Sequence, residues 1–596
     1  MIRTDGWKDD SRNPVIGTNV ATSTKVIWYF SYLPLDLVQA NGHKKDGDSM
    51  CAAFEVMIVK VEATYRCYVV LFVCDNDGGS QRGRKNLGVK RPWLFIVPCC
   101  AHQGQLILGD YLTVNVEASE IAEKAIELIH WILSHDRVRK IFDDAQFVKN
   151  FVVLVYLLAN LTRWTTHYIA FRRLLHLRIA LRYAVYIHRP EILAAQLGVE
   201  KNKKAILKIT AQVNTQCDLI EDNTFWTSLE RVVDDMEPIC YATNINQADR
   251  TRPDQVLLTF AGLFFHFGRH PNRSVSKGML ARIEKRWAAL DQPLFVLCLI
   301  LNPYEGLGRF GDKSEINVFV LSLELVSLYH RVRSRPTASP RSAAHIAGDR
   351  AREHELSTSF MQYMAGTGPF QAWRANKEQF QTQHPDEPHL VWENFKATDG
   401  VKELARFAIL LLGLVVNQAS TERTFSDCKI KKTRLRNRLG TVKLGKMSKV
   451  TLILSSDIRQ ENLTAGLIHE RAARNVHDPA KVSGLLSVPM YADALDPDED
   501  EEGKPRSNLV RTAGGWRAEE QEEELLANVT DEEESGVDSG PEPKAQKPPR
   551  KPKSFFSALP RTFTREALLM QLLAAEESDE SPDDGALSGS GDEFEP

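Results

Sequence analysis

The stretch Tyr-Val-Val-Leu-Phe-Val-Cys-Asp-Asn-Asp-Gly-Gly, residues 68–79, decides how this chain is read. Residues 68–74 form an unbroken apolar run of strand length, the pattern of a strand buried on both faces of a sheet. The run ends on Asp75, which places a carboxylate at the C-terminal end of a central strand. Asp77, two residues on, competes for that role but would fall in the Asp-Gly-Gly turn.

Upstream, residues 15–21 and 25–32 are β-branched and aromatic and flank Thr22-Ser23-Thr24, which predicts a hairpin. Residues 49–63 change to helical spacing, with Met50, Phe54, Met57 or Ile58, and Val61 on one face. Downstream, residues 81–90 are polar and weakly helix-compatible, because Gly83 and Gly88 lower the propensity. Residues 93–97 form another short apolar strand. Asp5 stands in Thr-Asp-Gly-Trp after only Met-Ile-Arg-Thr, so the strand that carries it is expected to be mostly missing. The resulting order is three antiparallel strands and then helix-linked parallel strands, as in an RNase H-like sheet. An α/β fold with a mixed sheet is expected.

From Ser119 to Trp392 the pattern turns mainly helical. Ser119 is the expected N-cap of a helix with Ile121, Ala125, Leu128, Ile129 and Ile132 in one stripe. Further helices are expected at residues 171–186, 225–236, 253–267 and 318–332, with a Pro/Ser/Arg/Ala-rich loop at 333–351. Helical character returns at 401–416 and again from 420 onward. The expected organisation is a core's first part at 1–118, an all-helical insertion at 119–398, a segment at 399–460 that completes the core, and a tail at 461–596.

The tail becomes Asp, Glu, Ser, Pro and Gly after about Val482, a composition that cannot bury enough apolar surface to offset its ordering entropy, so disorder is expected. From Asp493 onward 11 Lys+Arg stand against 28 Asp+Glu, a net of −17, while the whole chain is −3, so residues 1–492 carry +14. A basic body suggests a polyanionic partner such as nucleic acid, the alternative being a solvated surface with uneven charge. Lys-Pro-Pro-Arg-Lys-Pro-Lys, ending at Lys553, is compatible with nuclear import. The tail stretch 564–576 can form a short leucine-rich helix. Nine scattered cysteines indicate neither a disulfide framework nor a zinc finger, and a reducing compartment fits them. The apolar run at 404–416 contains Arg406 and falls short of the roughly 20 residues that span a bilayer. No secretory leader pattern stands at the N-terminus, so a soluble intracellular protein is expected.

Asp5, Asp75 and Glu422 form the candidate chemistry. Carboxylates at the ends of two neighbouring strands, with a third on a packed helix, can hold two divalent cations, and oxygen ligands select Mg²⁺ or Mn²⁺. Cys99 and His102 are spaced as half a zinc site without a second pair, which leaves positioning, DNA contact or plain packing. Arg163 and Trp164 can grip a phosphate and stack on a splayed base, or Trp164 is core. After Glu422 comes the densest basic stretch before the tail, including Lys431, Lys432, Arg434, Arg436 and Arg438, which can neutralise several phosphates or merely face solvent.

The blocks Thr-Asp-Gly-Trp-Lys-Asp, Cys-Asp-Asn-Asp-Gly-Gly, Cys-Cys-Ala-His-Gln and Thr-Arg-Trp-Thr resemble those of hAT-superfamily transposases, most closely the BED-finger-related fungal forms. The strongest is Asn-Gln-Ala-Ser-Thr-Glu-Arg-Thr-Phe-Ser with the basic run to Leu439, and together they span residues 1–455. The resemblance implies a two-metal RNase H-like core with Asp5, Asp75 and Glu422 as its triad, a helical insertion, C-terminal dimerisation, and nuclear action at transposon ends. Nothing corresponds to the family's N-terminal zinc-binding domain, and the first strand looks shortened, so a decayed or incomplete enzyme is expected. The competing expectation is a non-catalytic nuclear protein that dimerises through residues 400–455 and binds DNA or other proteins.

Overall fold

The computed structural model describes residues 1–8, 14–20, 33–39, 47–75, 78–150, 153–157, 165–248, 251–306, 317–335, 343–384, 387–419 and 421. Five strands, β1 (Ile2–Lys8), β2 (Pro14–Val20), β3 (Leu33–Gln39), β4 (Leu71–Cys74) and β5 (Phe95–Pro98), form one sheet in the order β3-β2-β1-β4-β5. The first three run antiparallel to one another, whereas β1, β4 and β5 are parallel. Helices α1 (Gly47–Tyr65) and α2 (Gly78–Lys90) supply the crossovers, so the class is α/β.

Two expectations about the strands are corrected. β1 is not reduced to a stub: it continues through Asp5 to Lys8, pairs with β2 from Ile2↔Val20 to Lys8↔Pro14, and meets β4 on its other side. Gly-Trp-Lys, which follows Asp5, completes the strand. The partner of β2 in the hairpin is β3 and not residues 25–32, which lie outside the described residues. The alternation Leu33, Leu35, Leu37 gives β3 its strand period, and Pro34 is tolerated because β3 is an edge strand.

β4 is buried along its whole length, as its apolar run predicts. Ile2, Phe72 and Cys74 pack with Phe54, Ile58 and Val61 of α1, while Leu71 and Val73 join the larger core on the opposite face. The Phe54 and Phe72 rings meet at 4.7 Å. Each such side chain contributes about 1.5–3 kcal/mol by burial.

The remaining helices are α3 (Cys100–Val114), α4 (Val116–Leu133), α5 (Asp136–Asn150), α6 (Thr165–Leu197), α7 (Lys203–Glu221), α8 (Asn223–Gln247), α9 (Pro253–Gly268) and α10 (Arg273–Ala288). They are followed by α11 (Gln292–Leu301), α12 (Val318–Arg333), α13 (Ala343–Ala365), α14 (Gln371–Gln383), α15 (Pro388–Phe395) and α16 (Lys402–Leu412). The α4 stripe lies where expected, but its N-cap is Asn115, whose side chain accepts from the Ala118 N–H at 3.2 Å, and not Ser119. α6 runs further both ways than 171–186, with non-helical backbone at His188 just before Pro190. α16 stops at Leu412, and residues 414–418 leave the helix instead of continuing it to 416.

Sheet and helices share one hydrophobic core. Arg331 in the last turn of α12 and Arg335 just beyond it also tie them together. Arg331 donates to Leu94 O at 2.9 Å and Pro92 O at 3.3 Å, and its guanidinium covers the Phe95 ring at 4.8 Å. Arg335 grips both oxygens of Glu62 on α1 at 2.8 Å.

The glycines that weaken α2 in the sequence have a packing role. A Cβ on Gly83 would stand 2.8 Å from Met50 Cβ and 3.3 Å from the Cys51 backbone nitrogen, whereas on Gly88 it would meet only Ile96 Cδ1 at 3.7 Å. Overpacking costs about 1–3 kcal/mol, against about 1 kcal/mol gained in helix propensity. In urea denaturation Gly83→Ala is therefore expected to lose stability and Gly88→Ala to gain up to about 1 kcal/mol.

Candidate active site at the carboxyl edge of the parallel strands

The parallel register of β1 and β4 runs Ile2↔Phe72, Arg3↔Val73, Thr4↔Cys74, and the residues that follow are 5, still in β1, and 75, just past the end of β4. Neighbouring strands lie about 4.8 Å apart, so the two aspartate positions are adjacent. With Ile2, Phe72 and Cys74 packed on α1, the two-residue period puts positions 3 and 73 on the opposite face. α3 lies on that face. His102, in its first turn, brings Nδ1 to 3.2 Å from Asp75 Oδ1, and both side chains are about one-third exposed, at 30% and 31%.

α3 is fixed by the helices behind it. Gly104 allows close approach to α8, since a Cβ there would stand 2.7 Å from Thr243 Oγ1 and 3.3 Å from Thr243 Cα. Buried Asp110 accepts from Arg282 at 2.9 Å and Arg286 at 2.6 Å, both on α10. Tyr111 donates to Asp235 Oδ2 of α8 at 2.8 Å, and His270 Nε2 lies 3.1 Å from the same oxygen. His266 Nε2 is 3.7 Å from Asp235 Oδ1, an ion-pair distance rather than a hydrogen bond. Burial alone would raise the Asp235 pKa, but the contacts with His266, Tyr111 and His270 hold it below the usual range.

Cys99 and Cys100 form the joint between sheet and site. The Cys99 N–H donates to Cys74 O at 3.0 Å and the Cys100 N–H to Val416 O at 3.0 Å, while Cys99 Sγ accepts from the Gln418 N–H at 3.4 Å. Cys99 is fully buried, so the contact with nucleic acid considered for it is replaced by a packing role. His102 remains partly accessible. Burial pushes the Cys100 thiol far above its ordinary value, with a small opposing effect from Arg84.

Residues 414–418 are the arm that returns the chain to this edge. Val415 N–H donates to Met1 Sδ at 3.2 Å, and Asn417 Nδ2 donates to Ala248 O at 2.8 Å. Val416, Asn417, Gln418 and Thr421 are buried, at 1% exposure or less. Glu422 lies outside the described residues. Asp77, Arg163, Trp164, Lys431, Lys432, Arg434, Arg436 and Arg438 also lie outside them, as does the side chain of Asp5. Among the described residues no group of three His, Cys, Asp or Glu side chains is close enough to hold a metal, and no helix is long and apolar enough to cross a membrane.

Sequence reasoning missed Arg84, on α2, whose Nη1 donates to Cys74 O at 3.1 Å and to Asp75 O at 2.8 Å. It also missed Arg3, which is fully buried on β1 two residues before Asp5. An isolated arginine in a polar helix, or in a tetrapeptide read as too short for a strand, carries no signal of its own. No protein-family model matches this chain, and no curated protein matches it.

Two outcomes follow. Brief alkylation of the native protein, mapped by peptide mass spectrometry, is expected to label half-buried Cys67 ahead of Cys99 and Cys100, which react only after unfolding. Because Asp235 titrates low in the folded state, its contribution is complete above the unfolded value of about 3.9 and is lost as pH falls through the folded value. Asp235→Asn is therefore expected to be less stable at pH 7 and to lose less stability than the parent between about pH 5 and 2, as read by denaturation across that range.

Proposed function

We propose that the chain is a hAT-like transposase, or a protein derived from one, that cleaves and joins DNA at transposon ends through an RNase H-like core. The observation that carries this reading is convergence at one edge of the sheet. Positions 5 and 75 come directly after Thr4↔Cys74, the last registered pair of two adjacent parallel strands, and the buried arm at 414–418 is hydrogen-bonded to Cys99 and Cys100. The order of three antiparallel strands followed by two parallel ones supports the same reading.

Asp5 and Asp75, at neighbouring strand ends, would in this reading form with Glu422 an all-oxygen donor set suited to Mg²⁺ or Mn²⁺. Bound there, such ions supply an activated water or 3′-hydroxyl and stabilise the leaving oxygen of a phosphodiester. His102 orients the Asp75 carboxylate from one side. Arg163, Trp164, Lys431, Lys432, Arg434, Arg436 and Arg438 serve in this reading to hold phosphates and stack a base, and residues 399–460 join two copies in the nucleus. The doubt about present activity drew in part on a shortened first strand, and β1, seven residues long and paired on both sides, removes that part; the alternative is a non-catalytic nuclear protein that binds DNA or other proteins.

The test is nicking of supercoiled DNA with Mn²⁺. Asp75→Asn and Glu422→Gln are each expected to lower the rate by at least about 100-fold while leaving DNA affinity in gel shifts within about threefold. Nicking that survives both substitutions, or binding with no metal-dependent cleavage by the parent, overturns the enzymatic reading.

A further inference from the structure

The end of β4 is held by more than the sheet. The β1 register stops at Thr4↔Cys74 and the β5 register at Cys74↔Pro98. Cys74 O accepts from the Cys99 N–H at 3.0 Å, the last ladder-like bond on that side. Arg84 reaches the same place from α2, where its side chain is buried at 7% exposure. Its Nη1 donates to Cys74 O at 3.1 Å and to Asp75 O at 2.8 Å, and lies 3.8 Å from Cys74 Sγ.

In a regular strand successive carbonyls point in opposite directions. A single nitrogen that reaches the carbonyls of residues 74 and 75 therefore marks the point where the chain leaves the strand, and fixes the peptide that sets the direction of the Asp75 side chain. The close α1–α2 approach permitted by Gly83, next to Arg84, is what brings the guanidinium there. Lysine carries its ammonium on a flexible stem one bond shorter, without the planar guanidinium that holds Nη1 at both carbonyls.

We propose that Arg84 is the positioning residue of Asp75: by bridging the last carbonyl of β4 and the one that follows it, it holds that carboxylate at the end of the strand and against His102. The link to catalysis rests on the reading of Asp75 as a metal-binding carboxylate, whereas the positioning itself does not.

The experiment compares full-length parent, Arg84→Lys and Arg84→Met by hydrogen exchange, thermal melting and Mn²⁺ titration followed by electron paramagnetic resonance. The Cys99 amide shares the Cys74 carbonyl with Arg84, so its exchange is expected to rise at least about tenfold in both variants while α1 amides exchange as in the parent. Mn²⁺ affinity is expected to fall at least about tenfold in both. Arg84→Lys, which keeps the charge, is expected to melt close to the parent yet fail to restore affinity. Parent-like Cys99 exchange in both variants overturns the proposal. So does early melting with Mn²⁺ affinity intact, since that is packing alone. If the parent binds no Mn²⁺, the metal-site reading fails by itself, and the Cys99 exchange decides the positioning claim: raised exchange sustains it and unchanged exchange overturns it.

Discussion

The pairing of β1 between β2 and β4 is the constraint on which the rest of the structure depends. β1 is the only described strand with an antiparallel neighbour on one side and a parallel neighbour on the other. A strand in that position must satisfy backbone groups on both edges while filling both faces. Ile2 and Thr4 meet α1 and its neighbours, and Arg3 is buried on the other side. The three pairs shared with β4 bring positions 5 and 75 level at the carboxyl edge.

The helical part supports that edge rather than standing apart from it. α3 rises directly from the end of β5 and is gripped by α8 and α10 through Thr243, Asp235, Arg282 and Arg286. Arg331 and Arg335 hold α12 to the loops and helix on the other side of the sheet. Buried pairs of this kind are weak net stabilisers but are costly to break singly, so they specify one arrangement of helices on the sheet. The arm at 414–418 then enters a slot whose hydrogen-bonding groups come from Met1, Cys99, Cys100 and Ala248, residues far apart in the chain.

Much of this was legible in the sequence. The apolar run at 68–74 marks β4, although the strand itself begins only at Leu71; the helical spacing at 49–63 marks α1, and the Ala125, Leu128, Ile129, Ile132 stripe marks the buried side of α4. The departures share a cause, because in each a distant partner outweighed the local signal. Only four residues precede Asp5, which makes β1 look short, yet β2 pairs with three residues beyond it. Apolar character continues to Val416, but the Cys100 N–H takes the Val416 carbonyl at 3.0 Å in place of a helical bond.

By itself the sequence determined the alternation of strand and helix, the buried character of β4, and the presence of an aspartate at its end, because these follow from hydrophobic periods and turn residues that act over a few positions. Only the tertiary structure decided that position 5 falls beside position 75, that Cys99 is a packing residue, and that Arg84 of α2 grips the backbone of Asp75. Those facts depend on register and on close approach of elements separated by tens or hundreds of residues, and a one-dimensional pattern does not encode which backbone groups will be left without a partner at the end of a strand.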